Sequence, residues 1–358
     1  MRNRILAINP GSTSTKIAVF ERKNQLFEIT IKHTFEELNQ FKNVVDQYDF
    51  RKKVIIDTLQ QNQIELNTIQ IVMGRGGLIH PVSSGIYKIN DLMKQHLIEA
   101  ERGEHASNLG ALISDSLAKE MGLECAYIVD PVMVDELDDV ARIAGHPLFE
   151  RTSIFHALNQ KAIARTYASE KGKKYEELDL VVAHMGGGIS VGAHKHGRVV
   201  EVNQALSGEG PFSPERSGTL PMDQLVELCF SGKYTYEEVK KMILGKGGYV
   251  AYFGSNDAYA VEQAALAGDE KAGLIEAALS YQVAQAIASA AAALQTKPDA
   301  ILITGGLAKG EPIVDKIRKY INWMTEEIKV YPGEDEMKAL AMNALMLIDG
   351  EAEAKEYK

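Results

Sequence analysis

Two short stretches of this 358-residue chain are composed to meet an anion. Asn9-Pro10-Gly11-Ser12-Thr13-Ser14-Thr15-Lys16 is a small-residue loop that interrupts an apolar strand. His184-Met185-Gly186-Gly187-Gly188-Ile189-Ser190 repeats it, and one offset of 176 residues places Gly11 on Gly187 and Ser14 on Ser190. Stripping side chains from such a loop lets backbone N–H groups approach an anion closely. Two loops of this kind facing each other would grip a polyphosphate from both sides. Other groups could handle charge. Arg75 lies in Gly74-Arg75-Gly76-Gly77 and Arg216 in Glu215-Arg216-Ser217-Gly218. A guanidinium among glycines offers a planar, permanently charged fork to a phosphate or carboxylate. Asp130 precedes Pro131 at the expected end of a strand, a place that suits a turn cap or a site. His156 stands in an apolar run, the usual setting of a structural histidine. Glu336 opens a helix, where the macrodipole alone would favour a carboxylate. His194 and His196 flank a hairpin turn with no cysteine or carboxylate cluster, poor grounds for a metal site.

Periodicity and punctuation indicate the elements that must position these groups. Arg4–Phe20 reads as two strands around the first loop, with a third at Leu26–Lys32. Helices are expected at Arg51–Gln63, Asn90–Glu101 and Leu109–Met121, and strands at Ile69–Met73 and Glu124–Val129. The second half runs the same programme. Leu180–Val191 and Arg198–Val202 are strands around the turn Lys195-His196-Gly197, and an Ala-rich helix, Leu274–Leu294, precedes the strand Ala300–Thr304 and Gly305-Gly306-Leu307. Gly145–Lys174 is expected to be helical and to link the halves. Gly208–Pro221 is too long and too rich in Gly, Pro and Ser to be an idle connector. Glu336–Ile348 reads as a helix and Glu351–Lys358 as a solvated tail. A duplicated pattern of this length predicts two similar α/β domains, residues 1–150 with the helix 335–350, and residues 151–334.

Composition narrows the partners. A formal charge of −10 argues against a nucleic-acid surface, which needs clustered cations. Two cysteines, Cys125 and Cys229, form no CxxC pair or disulfide framework, which suits a reducing compartment. No charged-then-apolar leader opens the chain, and Gln285 and Ser289 interrupt its most apolar helical stretch, so cytoplasmic residence away from membranes is expected.

Neither G-x-x-x-x-G-K-[ST] nor G-x-G-x-x-G after a strand occurs, which removes the P-loop and dinucleotide-binding readings. Two glycine hairpins with a strand-Gly-Gly-Leu unit instead resemble the sugar kinase, Hsp70 and actin superfamily. Within it, Asn9-Pro-Gly-Ser-x-Ser-x-Lys16, Ser153-Ile-Phe-His156-Ala-Leu-Asn159, His184-Met-Gly-Gly-Gly188, Glu215-Arg-Ser-Gly218, Ile303-Thr-Gly-Gly-Leu307 and Pro332-Gly-Glu-Asp-Glu336 resemble the acetate kinase family, in order and over essentially the whole chain. The resemblance implies two actin/hexokinase-like (ribonuclease H-like) α/β domains with a nucleotide cleft between them. It also implies ATP/ADP and Mg²⁺ as cofactors, a small carboxylic acid or acyl phosphate as partner, direct in-line transfer and a homodimer or higher homo-oligomer. By the same resemblance Arg75, with Gly76, Gly77, His105 and Phe155, receives the acid. Arg216 and His156 stabilise the moving phosphoryl group, Asn9 and Glu336 position the metal, and Asp130 stands beside it. Ser12, Ser14, Lys16, His184, Gly186, Gly187 and Gly188 hold phosphates, while Asp257, Gly305 and Gly306 meet the nucleoside.

The chemistry agrees. A carboxylate is already ionised at neutral pH and needs no general base. It needs positioning and charge neutralisation, because it must approach another anion. Two departures from the family pattern bear on the acid: Gly76-Gly77 follow Arg75 where bulky branched residues are common, and Gly103-Glu104-His105-Ala106-Ser107 replaces Pro-Leu-His-Asn. The lost volume predicts a larger acyl pocket and a four-carbon or branched acid over acetate, each buried CH₂ adding about 0.8 kcal/mol. A third departure, Ala258-Tyr259 in place of Phe-Arg, touches the nucleoside contact. A sugar kinase would instead need an Asp base, usually with Asp in place of Asn9. A nucleotide-switched module of the Hsp70 or actin kind would need an appended peptide domain or filament-forming insertions.

Overall fold

Apolar runs too short for helices become the central strands of two sheets. The computed structural model describes residues 2–358, and the chain divides into two units. One runs to Val134 and resumes over Asp335–Lys358; the other spans Asp135–Glu334.

The first unit contains β1 (Arg4–Pro10), β2 (Ser14–Glu21), β3 (Asn24–Lys32), β4 (Ile69–Arg75), β5 (Ile86–Lys88) and β6 (Tyr127–Val129). The second contains β7 (Asp179–Met185), β8 (Ile189–Lys195), β9 (Arg198–Val202), β10 (Ala300–Gly305) and β11 (Ile328–Pro332), and β12 (Ala354–Glu356) belongs to the first again. Among the described residues the sheets have the orders β12-β5-β6-β4-β1-β2-β3 and β11-β10-β7-β8-β9. The run β6-β4-β1-β2-β3 recurs as β11-β10-β7-β8-β9. In each copy the first hairpin is antiparallel and the crossover strands are parallel. The internal repeat is therefore a repeat of topology. Its hairpins differ in length, however: Pro10 pairs with Thr15 across four residues, and Met185 with Ile189 across three. Counted from these closing pairs the copies stand 175 residues apart on the first strand and 174 on the second, so the offset of 176 belongs to the loop letters and not to the paired strands.

Central strands are covered on both faces. In β7 and β10, Val181, Ala183, Met185, Ile301 and Ile303 pack toward the helix Glu270–Leu294. The alternate residues Leu180, Val182, Ala300 and Leu302 pack toward the helix Ala157–Glu170, as a strand's two-residue period requires. The helices Asn108–Glu120 and Glu336–Ile348 both lie on β1 and β4 of the first unit. There Gly74 and Gly110 let strand and helix meet backbone to backbone: a Cβ on Gly110 would fall 2.3 Å from the Arg75 carbonyl oxygen. Because β1, β4 and β6 run parallel, Asn9, Arg75 and Asp130 emerge at their carboxyl ends.

Three expectations fail. Of the segment Gly145–Lys174 only Ala157–Glu170 is helical; Gly145 and Pro147 break the earlier part, where Ile143 bridges to Glu150. The tail is not merely solvated. Ala354–Glu356 pairs with β5, and Tyr357 is buried, its hydroxyl accepting from the His80 amide and bonding His96. The strand at Glu124–Val129 shortens to Tyr127–Val129. The helix Glu270–Leu294 is long and apolar enough to cross a membrane, yet it is a core helix of the second unit. Its buried Glu276 pairs with Lys316.

Candidate active site

In the first unit the loop after β1 closes with the Gly11 amide donating to the Ser14 carbonyl at 2.7 Å. Behind it stands Arg51, a fully buried guanidinium on the helix Tyr48–Gln61. Its Nη1 donates to the carbonyls of Gly11 (2.8 Å) and Ser14 (2.9 Å) and to Thr15 Oγ1 (3.0 Å), and its Nη2 to the Ser12 carbonyl (3.1 Å). One cation so binds the oxygens of the loop and leaves its other face to the amides. Burial lowers the Arg51 pKa to about 10, which keeps it charged at neutral pH. Thr15 Oγ1, accepting from Arg51, bonds His33 Nε2 at 2.8 Å. Ser12 is exposed and Ser14 half-buried. Lys16 points to Glu28 on β3 at 3.9 Å.

Asn9, Arg75 and Glu336 meet at the same edge. Glu336 Oε2 accepts from Asn9 Nδ2 at 2.5 Å and from Arg75 Nη1 at 3.0 Å, and Arg75 Nη1 also reaches Asn9 Oδ1 at 3.3 Å. Glu336 is therefore more than a helix-end charge. An amide oxygen beside a carboxylate is a hard donor set of the type Mg²⁺ takes, so these residues fit that ion. In the structure the cation that they hold is the Arg75 guanidinium. Asp130 is buried at a φ of +37°. Its Oδ1 accepts from Ser84 Oγ (2.6 Å) and the Gly85 amide (2.9 Å), which hold a backbone conformation costing roughly 1–3 kcal/mol. His105, exposed, bonds Ser107 Oγ through Nδ1 at 2.8 Å.

The expected acyl volume at Gly76-Gly77 is not there. A Cβ on Gly76 would lie 2.5 Å from Pro131 Cβ, and one on Gly77 2.6 Å from Asn108 Cα and 2.8 Å from Leu97 Cδ2. These glycines are required by close packing, and the space that their side chains would take is already filled.

In the second unit the turn Gly186–Gly188 closes with the Gly186 amide donating to the Gly188 carbonyl at 3.0 Å. Ser213 Oγ donates to the Gly187 carbonyl at 2.6 Å. The Arg216 guanidinium lies directly on Gly188, where a Cβ would come within 1.9 Å of Nη1. Nη1 donates to the Ala205 carbonyl at 2.6 Å, while the buried Nε finds no acceptor among the described residues. Burial depresses the Arg216 pKa, and Glu215 opposes that. An orphaned donor on a half-buried cation beside a glycine turn is suited to an anion.

His184, buried at the end of β7, donates from Nδ1 to Asn159 Oδ1 at 2.8 Å, and its Nε2 lies 3.6 Å from Glu334. Its ring stacks on His156 with centroids 3.9 Å apart. His156 precedes the helix Ala157–Glu170 and bonds Ser190 Oγ through Nδ1 at 2.9 Å. Phe155, beside it, is buried. Gly305, at a φ of +94°, lets β10 close on β7, since a Cβ would stand 2.3 Å from the Met185 carbonyl oxygen. It exchanges two backbone hydrogen bonds with Gly333. Gly306 has open space where a Cβ would be. Asp257 caps the helix Ala258–Leu266, its Oδ1 accepting from the Ala260 amide at 3.0 Å. His194 is buried with both nitrogens bonded and His196 is exposed on the turn, so the two share no coordination.

Sequence reasoning missed Arg51, Gln160 and Glu334. Arg51 carried a signal, because it stands four residues before Ile55 and so shares the buried stripe with Ile55, Thr58 and Leu59. Nothing in spacing marks the other two.

A model of the acetokinase family matches residues 148–327. Butyrate kinase 2 of Clostridium acetobutylicum is 52% identical over 358 residues, covering 100% of both chains. Butyrate kinase 1 of the same organism is 52% identical over 355 residues, covering 99% of each. The crystal structure of Porphyromonas gingivalis acetate kinase shares the fold, with a TM-score of 0.78 at 17% identity over 97% of this chain and 100% of that one. With the family model spanning half the chain and half of all positions identical to full-length relatives, this chain belongs to the acetokinase family.

Proposed function

We propose that the chain transfers the γ-phosphoryl group of ATP reversibly onto butyrate, giving butyryl phosphate and ADP. The observation that carries this reading is a set of cations held at strand-end loops, Arg75 and Arg216 above all, with no base required. The choice of butyrate rests on the names of the relatives that are 52% identical, not on a pocket at Gly76-Gly77. A carboxylate oxygen attacks phosphorus in line, the new P–O bond forms as the bond to the bridging oxygen of ADP breaks, and no proton moves.

In this reading Arg75 exchanges its bond to Glu336 for the acid's carboxylate, near Gly76, Gly77 and His105. Phe155 contributes to the acyl side, and Asp130 organises water and cations. Arg216 and His156 stabilise the equatorial oxygens in transfer. Ser12, Ser14, Lys16, His184 and the amides of Gly186–Gly188 hold phosphate oxygens, supported by loops whose carbonyls are already bound from behind. Asn9 and Glu336 would hold Mg²⁺, which supplies charge neutralisation of the phosphates when bound. Asp257, Gly305 and Gly306 face the nucleoside, a role suited to the open backbone at Gly306. The enzyme is cytoplasmic and homo-oligomeric in this reading, with no membrane or nucleic-acid partner. Support comes from its negative charge and from the exposed apolar face Met222, Val226 and Phe230 on one helix.

Hydroxylamine trapping with ATP, Mg²⁺ and acetate, propionate, butyrate or isobutyrate tests it. A coloured hydroxamate with the highest kcat/KM on butyrate is expected. A preference for acetate overturns the choice of acid, and no hydroxamate from any acid overturns the acyl kinase reading.

A further inference from the structure

Behind His156 runs a line of buried side chains within the second unit. His156 Nδ1 lies 2.9 Å from Ser190 Oγ. Gln160 Nε2 donates to the Ser190 carbonyl (3.0 Å) and to Ser190 Oγ (2.8 Å), and Gln160 Oε1 lies 2.9 Å from His194 Nε2. His194 Nδ1 lies 2.6 Å from the Tyr175 hydroxyl. Ser190, Gln160 and His194 are all fully buried.

The polarity of each link is forced by the inventory of donors and acceptors. The Ser190 main-chain carbonyl only accepts, so Gln160 must turn its NH₂ toward it and its Oε1 toward His194. Oε1 only accepts, so His194 carries a proton on Nε2. Burial, reinforced by the cations Lys161 and Arg165, drives the His194 pKa well below its usual value. The ring is neutral, and its bare Nδ1 takes the Tyr175 O–H. At the other end, Ser190 Oγ faces donors in the Gln160 amide and, at 3.4 Å, the His156 main-chain N–H. The acceptor within its reach among the described residues is His156 Nδ1.

We propose that Tyr175, His194, Gln160 and Ser190 form a one-way hydrogen-bond chain that makes His156 Nδ1 the acceptor of the Ser190 hydroxyl and so keeps the ring proton on Nε2. The ring then presents a donor, not a lone pair, to an anionic oxygen. Its use toward a moving phosphoryl group rests on the acyl kinase reading; the tautomer does not. Ser190 and Gln160 are positioning residues, acting through His156. They matter because a wrong tautomer turns a hydrogen bond into a repulsion, as in hydrolase triads where it costs about 10⁴-fold in kcat.

The test is a long-range ¹⁵N–¹H correlation spectrum of the full chain labelled with ¹⁵N-histidine, recorded at pH 8, with signals assigned from His156→Gln and His194→Gln. Both rings are expected with Nε2 protonated and Nδ1 bare. Ser190→Ala should displace the His156 Nδ1 resonance and lower kcat about tenfold, with KM for ATP and acid within twofold. Gln160→Met should disturb both rings, and gives a second reading should Ser190→Ala fold poorly. A His156 proton on Nδ1, or a His156 signal that neither variant moves, overturns the proposal. Absence of turnover with any carboxylate would sink the acyl kinase reading alone, leaving the spectrum to decide the chain.

Discussion

Gly188→Ala probes how closely the second loop and its cation are fitted. A Cβ there would stand 1.9 Å from Arg216 Nη1, 2.5 Å from Cζ and 3.1 Å from Nε. Ordinary contact begins at about 3.4 Å, so the guanidinium must withdraw by about 1.5 Å. It cannot do so and keep its 2.6 Å bond to the Ala205 carbonyl, a charged hydrogen bond worth about 1.5–3 kcal/mol. Misplacing a positioning group by about 1 Å costs on the order of 10²-fold, and removing an arginine that stabilises a moving phosphoryl group costs about 10³–10⁵-fold. Gly188→Ala should therefore lower kcat roughly 10²-fold while KM for ATP and butyrate changes by less than about threefold. The assay is hydroxamate formation at saturating ATP and acid, with calorimetry to show that the variant is folded. Gly273→Ala is the control: it lies within the helix Glu270–Leu294 with nothing near its Cβ. It should add about 0.5–1 kcal/mol of stability at unchanged kcat. A folded Gly188→Ala enzyme with kcat within threefold of the parent would refute the reasoning, because the guanidinium would not need its place on Gly188.

Two further outcomes follow from buried charge. Arg51→Met removes the guanidinium from three loop carbonyls and Thr15 Oγ1, of which the Ser14 carbonyl keeps the Gly11 amide; it should cost about 2–4 kcal/mol, read as a fall in Tm, and raise KM for the nucleotide. An unchanged Tm and KM would show that the loop holds its shape unaided. The second concerns pH. Burial holds the folded-state pKa of His194 below its unfolded value near 6.5, so its stabilising contribution is complete above that value and is lost as pH falls below it. His33, lowered by burial and by Arg51, acts in the same direction. Urea unfolding should show roughly 1 kcal/mol less stability from His194 at pH 5.5 than at pH 7. His194→Gln should remove that increment; an identical pH dependence in parent and variant contradicts the assignment.

Much of the fold was legible because local chemistry decided it. Apolar runs punctuated by Gly-Ser and Gly-Gly-Gly could only be short strands meeting at bare loops, and their recurrence marked the duplicated topology. What sequence spacing could not convey was the far side of each contact. Gly76 and Gly77 read as empty space, whereas Pro131, Asn108 and Leu97 occupy it. Gly188 read as one more bare amide, whereas its missing side chain makes room for Arg216, 28 positions away. Gly145–Lys174 reads as a continuous helix because its second half is strongly helical, whereas Gly145 and Pro147 keep the first half out of it. Tyr357 read as tail because one aromatic ring in a charged terminus carries no periodicity; its burial depends on His80, Asn90 and His96. Asn9 and Glu336 read as a pair for the metal and Arg75 as a separate group for the acid, whereas the structure joins all three through one carboxylate oxygen.

Arg75 is where the neutralisation of two approaching anions can be measured most directly. Steady-state hydroxamate kinetics of Arg75→Ala should show kcat/KM for butyrate reduced by about 10³-fold or more, with ATP binding retained. A folded variant that keeps kcat/KM within tenfold of the parent would mean that the acid is neutralised elsewhere.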